Sequence, residues 1–487
     1  MNSKPNIILF VPDTFRADAL GHLGNKASRT PVVDNLIKQE EAVSFENAFC
    51  QSPFCTPSRC SFMSGLYPHV NGHRTLTYMM EPHEPVLLRT LKNNGYYVWW
   101  GGRDDLIPAE NDHVPYCDVF FRGDGKFNSV YDNPQWRGEP GNDDYYSFYA
   151  GKVDVPVGGV FNDCDNQLIN GAIDFINNYQ CDKPLCMYIA LANPHAPYGV
   201  EEPWFSLIDR EQVTLPASIP GNWDEMPSMM KGIFEKQNLI NYSTDKWKEL
   251  RAVYLGMCAR VDAQLGMIIE VLKKKSLYEN TALFFFSDHG DFTGDFGLVE
   301  KTQNTFQDCL TNVPLIIKPP SNISIDPGIK KALVELVDIV PTVCDLAGIE
   351  LGYDQFGKSL YECLKGKKEH RDAVFCEGGR LHGETQCMES YDANLLNPES
   401  LYYPKVHTQH SEGPEHTKAV MCRTGDYKYV YRLYEKDEFY DLSSNKGETE
   451  NLVDHPEYQH KISWHKDRLL RFMIETCDTV PRLENRR

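Results

Sequence analysis

TALFFFSDHGD, residues 281–291, decides how this chain folds. Six residues without a charge run straight into Ser287-Asp288-His289-Gly290. Apolarity that is continuous rather than alternating marks a strand covered on both faces, as in a parallel sheet between helices. NIILFVPD (6–13), YYVWWGGRDD (96–105) and PLCMYIALANPH (184–195) have the same form, and VPLIIKPP (313–320) is a further run. Between them, TPVVDNLIKQE (30–40), EPVLLRTLKNNG (84–95), NQLINGAIDFINNY (166–179) and LRAVYLGMCARVDAQLGMIIEVLKKK (250–275) space apolar residues at helical intervals. This alternation predicts an α/β domain with a mostly parallel central sheet between helices. In such folds ligands bind beyond the carboxyl ends of the strands. Here those ends carry Asp13, Arg103, His195, Asp288 and His289.

VELVDIVPTVCDLAGI (334–349) is predicted to be a helix near the end of this domain. An irregular stretch rich in Pro, His and Tyr follows at about 380–418. KAVMCRTGDYKYVYRLYEKDEFYDLS (418–443) then alternates like antiparallel strands joined by turns. A last helix is expected over about 456–476. We therefore expect a catalytic domain over 1–370 and a small α+β domain over 371–487 that completes the substrate pocket.

The 487 residues carry a formal charge of -20, which disfavours nucleic acid as a partner. No segment reads as the roughly 20 apolar residues of a membrane helix, so no membrane partner is expected. The apolar run near the N-terminus is too short for a signal peptide. The 15 cysteines are scattered, which suits a reducing compartment. These features predict a cytoplasmic protein.

SPFCTPSRCSFMSGLYP (52–68) carries the chemistry. Pro57 suits the first turn of a helix, and Gly65 and Pro68 would end it. Cys55 then lies at a helix N-terminus, where backbone amides favour an anion, with Arg59 one turn on. A thiol so placed is expected to be acidic and reactive. Cys50, Cys55 and Cys60 lack the spacing of a zinc knuckle. Asp13, Asp288 and His289 offer two carboxylates and an imidazole, which suit a hard or borderline divalent ion.

Cys55-Thr56-Pro57-Ser58-Arg59, followed by Ser64-Gly65 and Pro68, resembles the signature of the type I sulfatases. NIILFVPD, ANPHAPY, SDHGDFTGDFGLVEK and FYDLSSNKGETENL extend the resemblance along almost the whole chain. It implies an alkaline-phosphatase-like fold and hydrolysis of a sulfate ester. It implies that a maturation enzyme oxidises Cys55 to formylglycine, whose hydrate is the nucleophile. It implies that Asp13, Asp288, His289 and residue 55 hold a divalent metal, usually Ca2+, with Mn2+ or Mg2+ as alternatives. Arg59 would support the nucleophile. His195 would be the general acid, and Lys301 would bridge sulfate and leaving group.

Two departures from the family pattern stand out. The usual adjacent aspartates are replaced by Asp13-Thr14, and His289 stands where many sulfatases have Asn. Both also occur in the phosphonate monoester and phosphodiester hydrolases of the same superfamily, which keeps that activity open. In GGRDDL (101–106), Arg103 and Asp105 stand at the family's Lys and His positions. Arg103 could still hold sulfate, and either Asp105 or His73 could be the base that regenerates the aldehyde. Trp100 is near enough to a strand end to floor a sugar ring. The long loops at 107–160, 198–245 and 380–418 are rich in Tyr, Trp, His and Asn, which fits a saccharide or other small sulfate ester.

Overall fold

The computed structural model describes residues 4–480 and 482, except 133, 156–158, 390–392 and 444–447. Parts of the loops at 107–160 and 380–418, and of the FYDLSSNKGETENL segment, therefore lie outside the described residues.

The strands in chain order begin with β1 (Asn6–Val11), β2 (Val43–Phe49), β3 (Tyr97–Gly102), β4 (Val119–Phe121) and β5 (Tyr149–Lys152). They continue with β6 (Leu185–Ala190), β7 (Tyr198–Val200), β8 (Thr281–Phe286), β9 (Leu315–Lys318) and β10 (Gly328–Glu335). The last four are β11 (Val374–Gly378), β12 (Ala419–Arg423), β13 (Tyr427–Arg432) and β14 (Glu438–Asp441). Eight of them form one large sheet in the order β10-β2-β9-β8-β1-β6-β3-β4. Its pairs are parallel except those that β9 makes with β2 and β8. The architecture is the expected α/β type.

The central strands are continuous apolar runs because they face two cores. Ile7, Leu9 and Val11 enter the core on one side of the sheet, and Ile8 and Phe10 enter the other. Each such side chain contributes about 1.5–3 kcal/mol on burial, so neither face tolerates a polar residue until the strand ends. The segment 313–320 is a strand as expected, but it runs against its neighbours. The segment predicted as one helix over 334–349 is divided. Val334 and Glu335 finish β10, and the α-helix is Ile339–Ala347. β10 also shifts register against β2 between Lys330 and Leu333.

β11 to β14 form a separate antiparallel sheet, covered by the helix Gln459–Thr476. Phe375 of β11 stacks on Phe472 of that helix at 3.9 Å. This sheet is bonded to the large one: Glu377 N donates to Gln51 O (2.9 Å), and Phe375 N donates to Glu335 Oε1 (2.8 Å).

The longest helix, Thr244–Lys274, is capped by Ser243, whose hydroxyl accepts from Lys246 N. Contrary to expectation, its length and apolarity would suffice to cross a bilayer, but 83% of that apolar window is buried inside the fold. Its Arg260 is buried and donates to Asp163 at 2.7 and 2.9 Å and to Glu201 at 2.9 Å. Asp163 in turn caps the helix Cys164–Asn178. Arg260→Ala is expected to cost about 3–5 kcal/mol, because it strands two buried carboxylates. Urea unfolding of the variant measures that loss.

Candidate active site

β1 and β8 are adjacent and parallel, so their carboxyl ends deliver Asp13 and Asp288-His289 to one place. A single hydroxyl fixes the two loops. Ser287 Oγ accepts from Phe15 N (2.8 Å) and has Pro12 O and His289 O within 3.0 and 2.9 Å for its one proton. Thr14 N donates to Asp288 Oδ1 at 3.2 Å. Tyr254 of the long helix donates to Thr14 O at 2.7 Å. Gly290 is required here, since a Cβ would meet Cys309 O at 2.0 Å.

The helix Cys55–Ser64 begins at Cys55 and stops at Gly65, which has φ 76°. Phe54 offers no side-chain cap, so the first amides remain available to a charged group. All ten residues of the helix are buried. Ser58 Oγ donates to Asp288 O (2.6 Å) and ties the helix to the β8 loop. Arg59 Nη2 lies 3.0 Å from Asp13 Oδ2 and 2.8 Å from Asp288 Oδ2, and its Nη1 donates to Tyr188 at 3.0 Å.

Cys55 Sγ lies 3.2 Å from His289 Nε2 and 3.8 Å from Asp13 Oδ1. One ligand atom from each of Asp13, Cys55, Asp288 and His289 falls within 4.8 Å of the others, all four residues being buried. His289 Nδ1 sits 2.9 Å from Gly290 O, which holds the proton there and turns the Nε2 lone pair to the group. The donor set fits a divalent cation: two carboxylates and a neutral imidazole converge on one point. Burial alone would raise the Asp13 carboxyl, but Arg103, His195 and Arg59 hold it well below the usual range. The thiol behaves otherwise than expected. Burial, and then Asp13, push Cys55 well above an ordinary cysteine. Lys301 and Arg103 offset this only in part, so the unmodified thiol is not acidic.

His195 Nδ1 lies 2.6 Å from Ala196 O, and Lys301 Nζ lies 2.6 Å from His195 Nε2. Burial, and then Lys301, lower His195 to about 3. Burial opposes the Lys301 charge, but Cys55 and Glu300 outweigh it and raise Lys301. The proton at this contact therefore belongs to Lys301, and the imidazole is its acceptor. Lys301 Nζ also meets Glu300 Oε1 (2.8 Å), and Lys405 Nζ meets Glu300 Oε2 (2.7 Å). A cavity of about 930 Å³ opens over these groups. Cys55, Arg103, Asp105, His195 and Lys301 line it, as do Glu389, Tyr402 and Lys405 from the C-terminal part of the chain.

A family model described as Sulfatase matches residues 5–349. The chain belongs to the sulfatase family. An arylsulfatase of Clostridium perfringens is 24% identical, over 96% of this chain and 94% of that protein. A choline-sulfatase of Rhizobium meliloti is 25% identical, over 93% and 83%. Among solved structures, the phosphonate monoester hydrolase of Agrobacterium radiobacter superposes with a TM-score of 0.73 at 20% identity, covering 97% of this chain and 96% of that one. A 2-O GAG sulfatase gives 0.71 at 19%, covering 97% and 93%. At these identities the two structures speak for a shared alkaline-phosphatase-like fold.

Within this sulfatase the remaining sequence-predicted residues separate. Gly102, at φ 92°, lets β3 leave the sheet where a Cβ would meet Ala190 O at 1.9 Å. Arg103 follows, with Nε 2.8 Å from Asp105 Oδ2 and 3.3 Å from Asp13 Oδ2. Burial would raise Asp105, but Arg103 and Arg59 hold it low. His73 lines the cavity, yet both ring nitrogens are engaged, by Tyr78 O (2.9 Å) and Glu84 Oε1 (3.0 Å). It has no free nitrogen for base chemistry. Trp100 does not floor a sugar. The strand turns its ring into the core, against His113, Phe120 and Tyr188. Thr14 is fully buried and does not line the cavity; its backbone is what the site uses. Glu300, Lys405 and Glu389 were not anticipated. Glu300 adjoins Lys301 in sequence, while the other two lie in the irregular stretch.

Ser287→Ala is expected to lower affinity for a divalent ion about 10–100-fold, as loss of an outer hydrogen bond does in other metal sites. Calorimetric titration of the metal-free protein reads this directly. Because His195 stays neutral down to about 3, kcat/KM is expected to lack an imidazole ionisation near its ordinary value. A limb there that His195→Asn removes would reverse the assignment of the proton to Lys301.

Proposed function

We propose that this sulfatase hydrolyses the sulfate ester of a small alcohol or saccharide, using a formylglycine made from Cys55 and a divalent ion. One observation carries the reading. The side chain at the helix N-terminus lies within 3.2 Å of His289 Nε2 and 3.8 Å of Asp13 Oδ1, inside the group able to hold the ion. Asp13, Asp288, His289 and residue 55 would hold it. Oxygen donors favour a hard ion, Ca2+ first, with Mg2+ or Mn2+ as alternatives. When present, the ion and the aldehyde hydrate supply Lewis acidity and a nucleophilic oxygen.

The chain's own residues do the rest. Arg59 holds Asp13 and Asp288 apart from one another's charge and fixes their oxygens. Arg103 and Lys301 face the cavity and take up the charge of the sulfate. Lys301 delivers a proton to the departing oxygen and recovers one from solvent, while His195 Nε2 accepts from the ammonium and aims it. Asp105 is a poor base while Arg103 is paired with it. Once Arg103 turns to sulfate, that restraint weakens and Asp105 can accept a proton. The segment 371–487 completes the pocket through Tyr402 and Lys405. Because the Cys55 helix is buried throughout, a maturation enzyme would act on the chain before it closes.

Cys55→Ala is expected to abolish turnover of an aryl sulfate, and mass analysis of the wild-type peptide should find the aldehyde. Lys301→Ala is expected to lower kcat about 10²–10⁴-fold, with a smaller loss for nitrophenyl sulfate than for an alkyl sulfate. Equal losses on both would remove Lys301 from the proton step. Thr14 and His289 keep the phosphonate monoester reading in play, so matched aryl sulfate and aryl phosphonate esters should be compared. Faster phosphonate cleavage would replace the sulfate assignment.

A further inference from the structure

The reactive end of the cavity uses up its cations. Arg103 is paired with Asp105 and Asp13, and Lys301 and Lys405 share Glu300. His195 is neutral. The other charged groups of the wall are glutamates, beside His73 and His83. Glu81, Glu84, Glu110 and Glu389 also line the cavity, and of these Glu84 is paired with His73.

Glu389 differs from the exposed rim. It is 4% exposed, and no Lys, Arg or His nitrogen among the described residues lies within ion-pair distance of it. Three neutral donors hold it instead. Leu76 N reaches Oε1 at 3.2 Å, and Gln303 Nε2 and Gln409 Nε2 reach Oε2 at 2.8 and 3.3 Å. Both glutamines are fully buried, and in turning their amides to Glu389 they leave their own Oε1 atoms without a hydrogen-bond partner among the described residues. Two buried carbonyls left unpaired are costly unless the orientation they enforce is useful. Glu389 is also close to the chemistry through the backbone. Thr56 Oγ1, next to Cys55, donates to Leu76 O at 3.3 Å, and the amide of the same Leu76 donates to Glu389.

A carboxyl held rigidly at a cavity wall without a cation is prepared for one. We infer that Glu389 is a specificity-determining residue that receives an ammonium group on the alcohol half of the sulfate ester. The inference rests on the sulfatase reading and narrows its substrate class to amino-alcohol or aminosugar sulfates. Glu81 and Glu110, which make no ion pair among the described residues, favour the approach of the same charge. Burial pushes Glu389 up to about 8, so a cation beside it has ionisation to recover.

The test uses monosaccharide sulfates that differ only in ammonium or hydroxyl at carbon 2, sulfated at carbon 3, 4 or 6. With the formylglycine-bearing, metal-loaded enzyme, the ammonium member of the cleaved pair should show kcat/KM about tenfold higher or more. Glu389→Gln should bring that ratio close to one. A ratio reads specificity even if the variant loses overall rate. Should the variant fail to fold, the unsulfated aminosugar and its hydroxyl counterpart can be compared as inhibitors of aryl sulfate turnover by the wild type. There the aminosugar should bind about tenfold tighter. Equal kcat/KM values, equal inhibition, or a preference that survives Glu389→Gln would overturn the inference while leaving the sulfatase reading intact. Failure to cleave any sulfate ester, aryl sulfate included, would overturn both.

Discussion

Two fully buried carboxylates, Asp13 and Asp288, share one guanidinium, and this arrangement constrains everything around it. Neither could remain charged in the interior without compensation. Arg59 supplies part of it from the helix that also carries Cys55. Residue 55 is therefore fixed by the same contact that steadies the two carboxylates of the group able to hold a metal. Moving the helix would separate the charges, and separating the charges would move residue 55. The sheet makes the arrangement possible because β1 and β8 are neighbours and end at the same level.

Much of this was legible in the chain itself. A continuous apolar run identifies a strand, and the first polar residues after it mark the end where ligands bind. That logic gathered Asp13, Arg103, His195, Asp288 and His289 before any coordinates were considered. Pro57 and Gly65 likewise framed the helix over 55–64. What escaped depended on partners distant in sequence. The apolar pattern of 315–318 carries no sign of strand direction, and Val334-Glu335 suits a strand as well as a helix. Trp100 faces the core because of its register against β6, which its own neighbours do not encode. The acidity expected of Cys55 is reversed by burial and then by Asp13, 42 residues away. The placement of a proton on Lys301 rather than His195 needed the 2.6 Å contact between them.

The division of labour follows the chain. The part matched by the sulfatase family ends at residue 349 and carries Cys55, the group Asp13, Asp288 and His289, and Lys301. The C-terminal part contributes Glu389, Tyr402 and Lys405 to the same cavity. Lys405 lies over the rings of Phe54 and Tyr402 while holding Glu300, so the two parts meet at the carboxylate that also pairs with Lys301.

The margins of the large sheet have a consequence for life at high protein concentration. One border is β4, only three residues long. The other is β10, whose pairing with β2 slips between Lys330 and Leu333. A short ribbon and a kinked, lysine-bearing one are both poor templates for a strand from another molecule. The continuous apolar strands at the centre of the sheet can therefore be stored in one body without inviting fibrous self-association.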